Sequence, residues 1–256
     1  MPETIWFRDE GPPRRPRLSR ERIVAAAVAH LDAEGVGGFS MRGLAARLKA
    51  GTMSLYEYVQ SKEDVLDLAL DEVIGEIAEP VGPLPWRDLL TRQLTQSRAV
   101  MRRHPWVPAL TATRPLLGPN ALARSRLFYG ALAGAGVAGP ELTAAVGTLT
   151  SYVNGFVAAE NTWWATVRTP AADAELRARV AGLLRGRMSE YAGQTRVDEA
   201  ENADFDRQFA LGLDIILDGI AARLRPETPA PETPALEDPG PEMPAPEDPR
   251  SETRLL

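Results

Sequence analysis

Between residues 40 and 62 the chain reads SMRGLAARLKAGTMSLYEYVQSK, two short helical patterns parted by three residues, and few folds accommodate that arrangement. Ser40 suits a helix N-cap, because its hydroxyl can accept a free amide of the first turn. Met41, Leu44, Ala45 and Leu48 then recur at helical spacing and predict one apolar face. Lys49, Ala50 and Gly51 interrupt the pattern, and Gly51 is the residue best able to take an unusual backbone shape. From Thr52 a second short helix is expected to turn Leu55 and Val59 inward, leaving Met53, Ser54, Tyr56, Glu57 and Tyr58 outside. Two helices joined by a tight turn, the second exposing polar and aromatic groups, have the shape of a helix-turn-helix that enters a major groove. A helical hairpin packed into a larger bundle is the plainer reading of the same pattern.

The flanks favour the first reading. Upstream, LSRERIVAAAVAHLDAEGVGGFS predicts an amphipathic helix with Ile23, Ala27, Val28 and Leu31 on its core side and Gly35 as its stop. Downstream, Ser61 precedes Lys62, Glu63 and Asp64, so a longer helix begins with acids in its first turn, where the helix dipole favours them. With these residues in place, the chain resembles the TetR family of transcriptional regulators over about residues 18–77. The resemblance is carried by Ser40-Met41-Arg42-Gly43-Leu44-Ala45, then Leu55-Tyr56-Glu57-Tyr58-Val59, then Ser61-Lys62-Glu63. One departure is visible: the family usually has Gly and a small β-branched residue where Lys49 and Ala50 stand here. A positive φ at Lys49 costs on the order of 1 kcal/mol relative to Gly; relaxation of the turn at Gly51 is the alternative.

Charge supports the same division. The net charge of −6 is unlike that of a nucleic-acid binder until it is located. The last 31 residues hold eight acids and two arginines, which account for all of it. Residues 14–62 hold nine bases and four acids, concentrating positive charge where phosphate contacts are needed. No cysteine is present, no run of eighteen apolar residues occurs, and the N-terminal residues lack a secretory apolar stretch. A cytoplasmic protein with no membrane span is therefore expected. His30 and His104 are the only histidines and lie near no second metal ligand, so neither a metal site nor a cofactor is expected.

Four regions are expected: a flexible basic arm over 1–18, a helix-turn-helix DNA-binding domain over 19–64, a helical ligand-binding and dimerisation domain over 65–225, and a disordered tail over 226–256. The arm combines Pro12, Pro13 and Pro16 with Arg14, Arg15 and Arg17; the tail has nine prolines and cannot bury enough apolar area to order itself. Helices are expected over about 61–79, 86–103, 119–132, 140–167, 173–191 and 203–223, with a short segment from His104 to about Ala112. Within 140–167, Gly147, Ser151 and Gly155 leave a groove of small side chains, and within 203–223 Phe205, Phe209, Leu213, Ile216, Leu217 and Ile220 form a broad stripe. No window alternates long enough for a sheet, and the fold class is all-α.

The TetR resemblance implies a ligand-responsive regulator, most simply a repressor, that pairs as a homodimer through helices 140–167 and 203–223 and reads a two-fold symmetric operator. It implies that Arg42 and Thr52, Met53 and Ser54 touch base edges, that Tyr56 and Tyr58 grip the backbone, and that Lys62 meets a phosphate. An effector wall of Met101, His104, Trp106, Phe128, Tyr152, Phe156, Glu160 and Trp163 or Trp164 is expected, although aromatic residues at helical spacing also simply build cores. Glu160 would favour a cationic ligand if it lay beside Trp163 or Trp164; a solvent-facing glutamate is the plainer expectation. Thr113-Arg114-Pro115 resembles a segment of tetracycline-binding repressors, but Ala78 and Leu110 stand where those proteins carry drug-binding histidines. A small apolar or amphipathic organic effector is expected instead. The competing classes are a helical enzyme and a scaffold without specific DNA binding. The chain shows no Gly-rich phosphate loop and no nucleophile–base pair, and a scaffold leaves the Thr52–Lys62 face unexplained.

Overall fold

The computed structural model describes residues 18–167, 169–187 and 204–224. Among them are ten helices and no strand: α1 (Arg20–Gly38), α2 (Met41–Leu48), α3 (Thr52–Leu55), α4 (Lys62–Gly75), α5 (Trp86–Arg103), α6 (Val107–Thr111), α7 (Pro119–Gly134), α8 (Gly139–Thr166), α9 (Pro170–Arg187) and α10 (Phe205–Ala221). The arm expected over 1–18, Leu18 excepted, and the tail expected over 226–256 lie outside the described residues.

Local chemistry sets the first helices. The Ser19 hydroxyl accepts from the Arg22 amide at 3.3 Å and starts α1; Gly35, at φ 65°, breaks it where the sequence placed its stop. Ile23, Ala27 and Leu31 are buried as expected, with Val28 half-buried. Ser40 caps α2 by accepting from the Gly43 amide at 3.1 Å. The turn after α2 resolves the alternatives left by the sequence. Lys49 itself takes the left-handed conformation, at φ 54° and ψ 39°, with its amide on the carbonyls of Ala45 and Ala46. Gly51 is extended, at φ −75° and ψ 145°, and does not relieve the turn. The strain therefore falls on a lysine. Lys49→Gly is expected to raise stability by roughly 1 kcal/mol. Chemical denaturation checks this, and an unchanged or lower midpoint contradicts it.

The Ser61 hydroxyl accepts from the Asp64 amide at 3.1 Å, and the Asp64 carboxylate accepts from the Ser61 hydroxyl and the Gln60 amide at 2.6 and 2.8 Å. Those bonds, the Ser61 hydroxyl first, hold the Asp64 carboxyl below its usual range. α4 ends at Gly75, short of the expected Glu79, because the Glu76 and Ile77 amides tighten back onto the carbonyls of Val73 and Ile74. Ile77 is buried all the same.

α4 joins the first helices to the rest. It packs on α1 at one side and on α5, α6 and α7 at the other. Polar ties follow its length: Arg114 pairs with Glu63 and Asp67 near its start, and the Asp71 carboxylate accepts from the Ala121 amide, at 2.9 Å, in the first turn of α7. α8 packs on α5, α6, α7 and α10. By length and composition α8 is apolar enough to cross a membrane, a property that counting uninterrupted apolar residues misses. Here its buried side, Val146, Leu149, Val153 and Val157, belongs to the core that runs from Ile23 to Ile220.

Candidate nucleic-acid interface and effector core

α3 is a single turn, and its orientation is fixed from beneath. Leu55 is 0% exposed and Val59 is buried under the following turn, while Met53 is 77% exposed and Tyr56 and Tyr58 project outward. Thr52 and Ser54 are half-exposed beside them. Arg42 is exposed in the first turn of α2. Six of the seven expected DNA-contacting residues thus stand on the accessible side of one helical hairpin. Lys62, the seventh, is half-buried and already engaged: its ammonium donates to the Phe39 carbonyl at 3.0 Å and lies 5.6 Å from the centre of the Phe39 ring. It ties α4 to the α1–α2 connection.

Gly43 is required by a close approach. A Cβ there would lie 2.6 Å from His30 Nε2. His30 is buried beneath α2 against the Phe39 ring, at 5.3 Å between centres, and neither ring nitrogen has a hydrogen-bond partner. It acts as packing.

The expected effector wall divides into two assemblies plus core residues. Met101 and Phe128 are buried in the core. His104 and Trp106 reach α1 and the end of α4. Asp32 accepts from the Trp106 indole at 2.7 Å and meets His104 Nδ1 at 2.7 Å, while His104 Nε2 lies 3.2 Å from Glu76. Arg103 also binds Glu76, at 2.5 Å. The end of α5 and the turn after it are thereby fastened to α1 and the end of α4 through five side chains. Burial opposes the Glu76 charge, yet bonds from Arg103 and His104 outweigh it and lower its pKa. A carboxyl lowered on folding stabilises the folded state above its unfolded pKa and loses that contribution as pH falls through the folded one. The stability difference between the wild type and Glu76→Gln is therefore expected to be present near pH 7 and to shrink as the solution becomes acidic. Denaturant titrations across pH check it; a difference that grows on acidification contradicts it.

The second assembly lies between α5, α8, α9 and α10. Glu160, expected to face solvent, is 1% exposed, because α5 and α10 close over that side of α8. Its two oxygens accept from Arg98 Nε and Nη2, each at 2.8 Å, and Arg98 also meets Asp206 at 2.8 Å. Burial works against the Arg98 charge, and the two carboxylates outweigh it, raising the pKa. Tyr152 stacks with Phe209, Phe156 meets Phe209 edge to face, and Trp163 and Trp164 meet Phe205. The Tyr152 hydroxyl donates to the Phe209 carbonyl at 2.9 Å. Arg98 was absent from the expected wall. Its signal was available, since it occupies the inward face of α5 with Leu94, Ser97 and Met101, where an arginine needs a buried acid.

The outer side of this region is apolar as well. Gly147, Ser151 and Gly155 line an exposed face of α8, with open space above both glycines. On α10, Leu211 is exposed and Ile215 is 72% exposed.

Known proteins share this arrangement. Residues 80–224 match the family described as tetracyclin repressor-like, C-terminal domain. An HTH-type transcriptional regulator of Saccharopolyspora erythraea is 43% identical over 223 residues, covering 86% of this chain and 92% of that protein. The HTH-type transcriptional repressor DrrR1 of Streptomyces coeruleorubidus is 38% identical over 230 residues, 85% of this chain and 83% of its own length. Among solved structures, the Streptomyces coelicolor TetR family protein ActR in complex with actinorhodin superposes with a TM-score of 0.67 at 26% identity, covering 82% of this chain and all of that one.

Proposed function

The chain belongs to the TetR family of transcriptional regulators, and on that premise we propose that it represses transcription by binding a two-fold symmetric operator as a homodimer and leaves the operator when a small organic effector binds. The observation that carries the reading is the hairpin of α2 and α3, with Arg42, Thr52, Met53, Ser54, Tyr56 and Tyr58 outside and Leu55 and Val59 buried beneath. In this reading Arg42 and the Thr52–Ser54 turn meet base edges and the two tyrosines meet the sugar-phosphate backbone. The reading unit takes residues 19–64, and residues 65–225 serve effector binding and dimerisation.

Pairing is supported by the exposed small-residue face of α8 and by Leu211 and Ile215 on α10, since apolar faces of this kind pack against another chain. A four-helix seam of α8 and α10 from each protomer places two identical readers on one duplex. An effector site within the helical region is supported by ActR, whose structure was solved with actinorhodin bound. The release mechanism follows α4, fastened to α6–α7 through Arg114 near its start and to the end of α5 through Glu76 at its close. An effector acts only by preferring the arrangement that misfits DNA, and moving a population from 1:99 to 99:1 needs about 5.5 kcal/mol of differential affinity.

Operator titration with and without ligands found by tryptophan fluorescence tests the switch. Tight binders that never alter operator affinity overturn induction while leaving DNA reading in place. Sedimentation as a stable monomer at micromolar concentration overturns the dimer.

A further inference from the structure

Two guanidinium groups are seated against the rings of the α8–α10 assembly, and they are held differently. The Arg98 guanidinium carbon lies 5.4 Å and 5.0 Å from the ring centres of Phe156 and Phe209. It is locked by Glu160 and Asp206 from two other helices. The Arg177 guanidinium carbon lies 4.8 Å from the Trp163 ring and 5.5 Å from Phe205. Its acid partner is Asp173, one turn earlier on its own helix, at 2.8 and 2.9 Å. Asp173 also accepts from the Trp163 indole at 2.8 Å. Arg177 thus fills an aromatic niche from a side chain whose carboxylate travels with it on α9.

We propose that the niche of Trp163, Phe205 and Asp173 is a binding site for an organic cation, an ammonium or guanidinium on an aromatic body, and that Arg177 occupies it in the free chain. The proposal rests on the effector reading above and names the chemical class of effector. Ring faces attract cations through their quadrupole, and the carboxylate supplies the counter-charge. Among the described residues, ion pairs in the region join Arg98, Arg102 and Arg177 to Glu160, Asp173 and Asp206. Glu160 and Asp206 are already bound by Arg98 and Arg102. When Arg177 swings outward, Asp173 loses its ion-pair partner. A cation restores the pair, a neutral molecule leaves the carboxylate without one, and an anion is repelled by it. Trp164, 6.0 Å from Phe205, offers a further ring to the body of the ligand.

The test is calorimetric titration of the full chain, without DNA, with benzyltrimethylammonium, its neutral isostere neopentylbenzene, and phenylacetate. The cation is expected to bind at least tenfold more tightly than either. Removing the internal occupant in Arg177→Ala is expected to tighten cation binding about tenfold, while Phe205→Leu and Asp173→Asn weaken it by as much. Arg177→Gln, which keeps the length of the side chain without its charge, is measured beside the alanine variant with melting curves to confirm folding. Equal binding of the neutral isostere overturns the proposal. So does undetectable cation binding, or weaker binding in both folded Arg177 variants. Because no operator is present, failure here leaves DNA reading intact, and failure of operator binding leaves this result standing.

Discussion

Glu160→Ala is expected to lower the stability of the fold by about 3–5 kcal/mol, because it strands the Arg98 charge inside the protein. Arg98 and Glu160 are both nearly inaccessible, and their paired contacts at 2.8 Å satisfy two guanidinium nitrogens at once. Among the described residues Asp206 is the other acid paired with Arg98, but it lies at the exposed start of α10 and partly neutralises the charge without replacing the bidentate bond. For a chain of this size the loss corresponds to a melting temperature lower by roughly 10 °C. Arg98→Met combined with Glu160→Leu is expected to recover most of it, since replacing both partners leaves no uncompensated charge. Thermal melts of the two variants decide the matter. A Glu160→Ala protein that melts within 2 °C of the wild type, on the same scale, contradicts the buried pair.

Arg42→Ala and Tyr56→Ala are each expected to weaken operator binding while leaving the melting temperature unchanged. For Arg42 the loss is about 1–3 kcal/mol if its guanidinium reads a guanine edge, or roughly ten- to hundredfold in affinity. Its effect should differ between operator and unrelated duplex. Tyr56→Ala should weaken both alike, as expected for a backbone contact. Neither side chain underlies the core: Arg42 is exposed, and Tyr56 lies above the buried Leu55. Lys62→Ala is a less clean probe than the sequence implied. Loss of one phosphate contact would lower the salt slope by roughly one, but the same change removes the bond to the Phe39 carbonyl. Its effect therefore combines DNA affinity with the seating of α4.

Much of the fold was legible because local signals coincide with the elements. Ser19, Ser40 and Ser61 cap the helices they precede, and apolar spacing placed Leu44, Leu55 and Val59 inside. The sequence offered both Lys49 and Gly51 for the unusual turn, and Lys49 takes it, closing α2 with its amide on the Ala45 and Ala46 carbonyls. Elsewhere, what the sequence left open was decided by partners distant in the chain. Periodicity made Glu160 ambiguous, since only the arrival of α5 with Arg98 makes a buried acid tolerable there. His104 and Trp106 follow Met101 closely in sequence, yet the chain turns after α5 and carries them to Asp32 of α1. Residue type suggested a ligand wall; the structure adds that their hydrogen bonds fasten helices together.

The central claim, that the α2–α3 hairpin reads a two-fold symmetric DNA sequence, is tested most directly by selecting duplexes from a randomised pool with the full chain and footprinting the enriched sequence. The account predicts one palindromic site whose half-site centres are spaced by about one helical turn, or a multiple of it, with its footprint lost in the Arg42→Ala, Tyr56→Ala double variant. Enrichment of no sequence by the folded protein, or an unchanged footprint with the folded double variant, would contradict it.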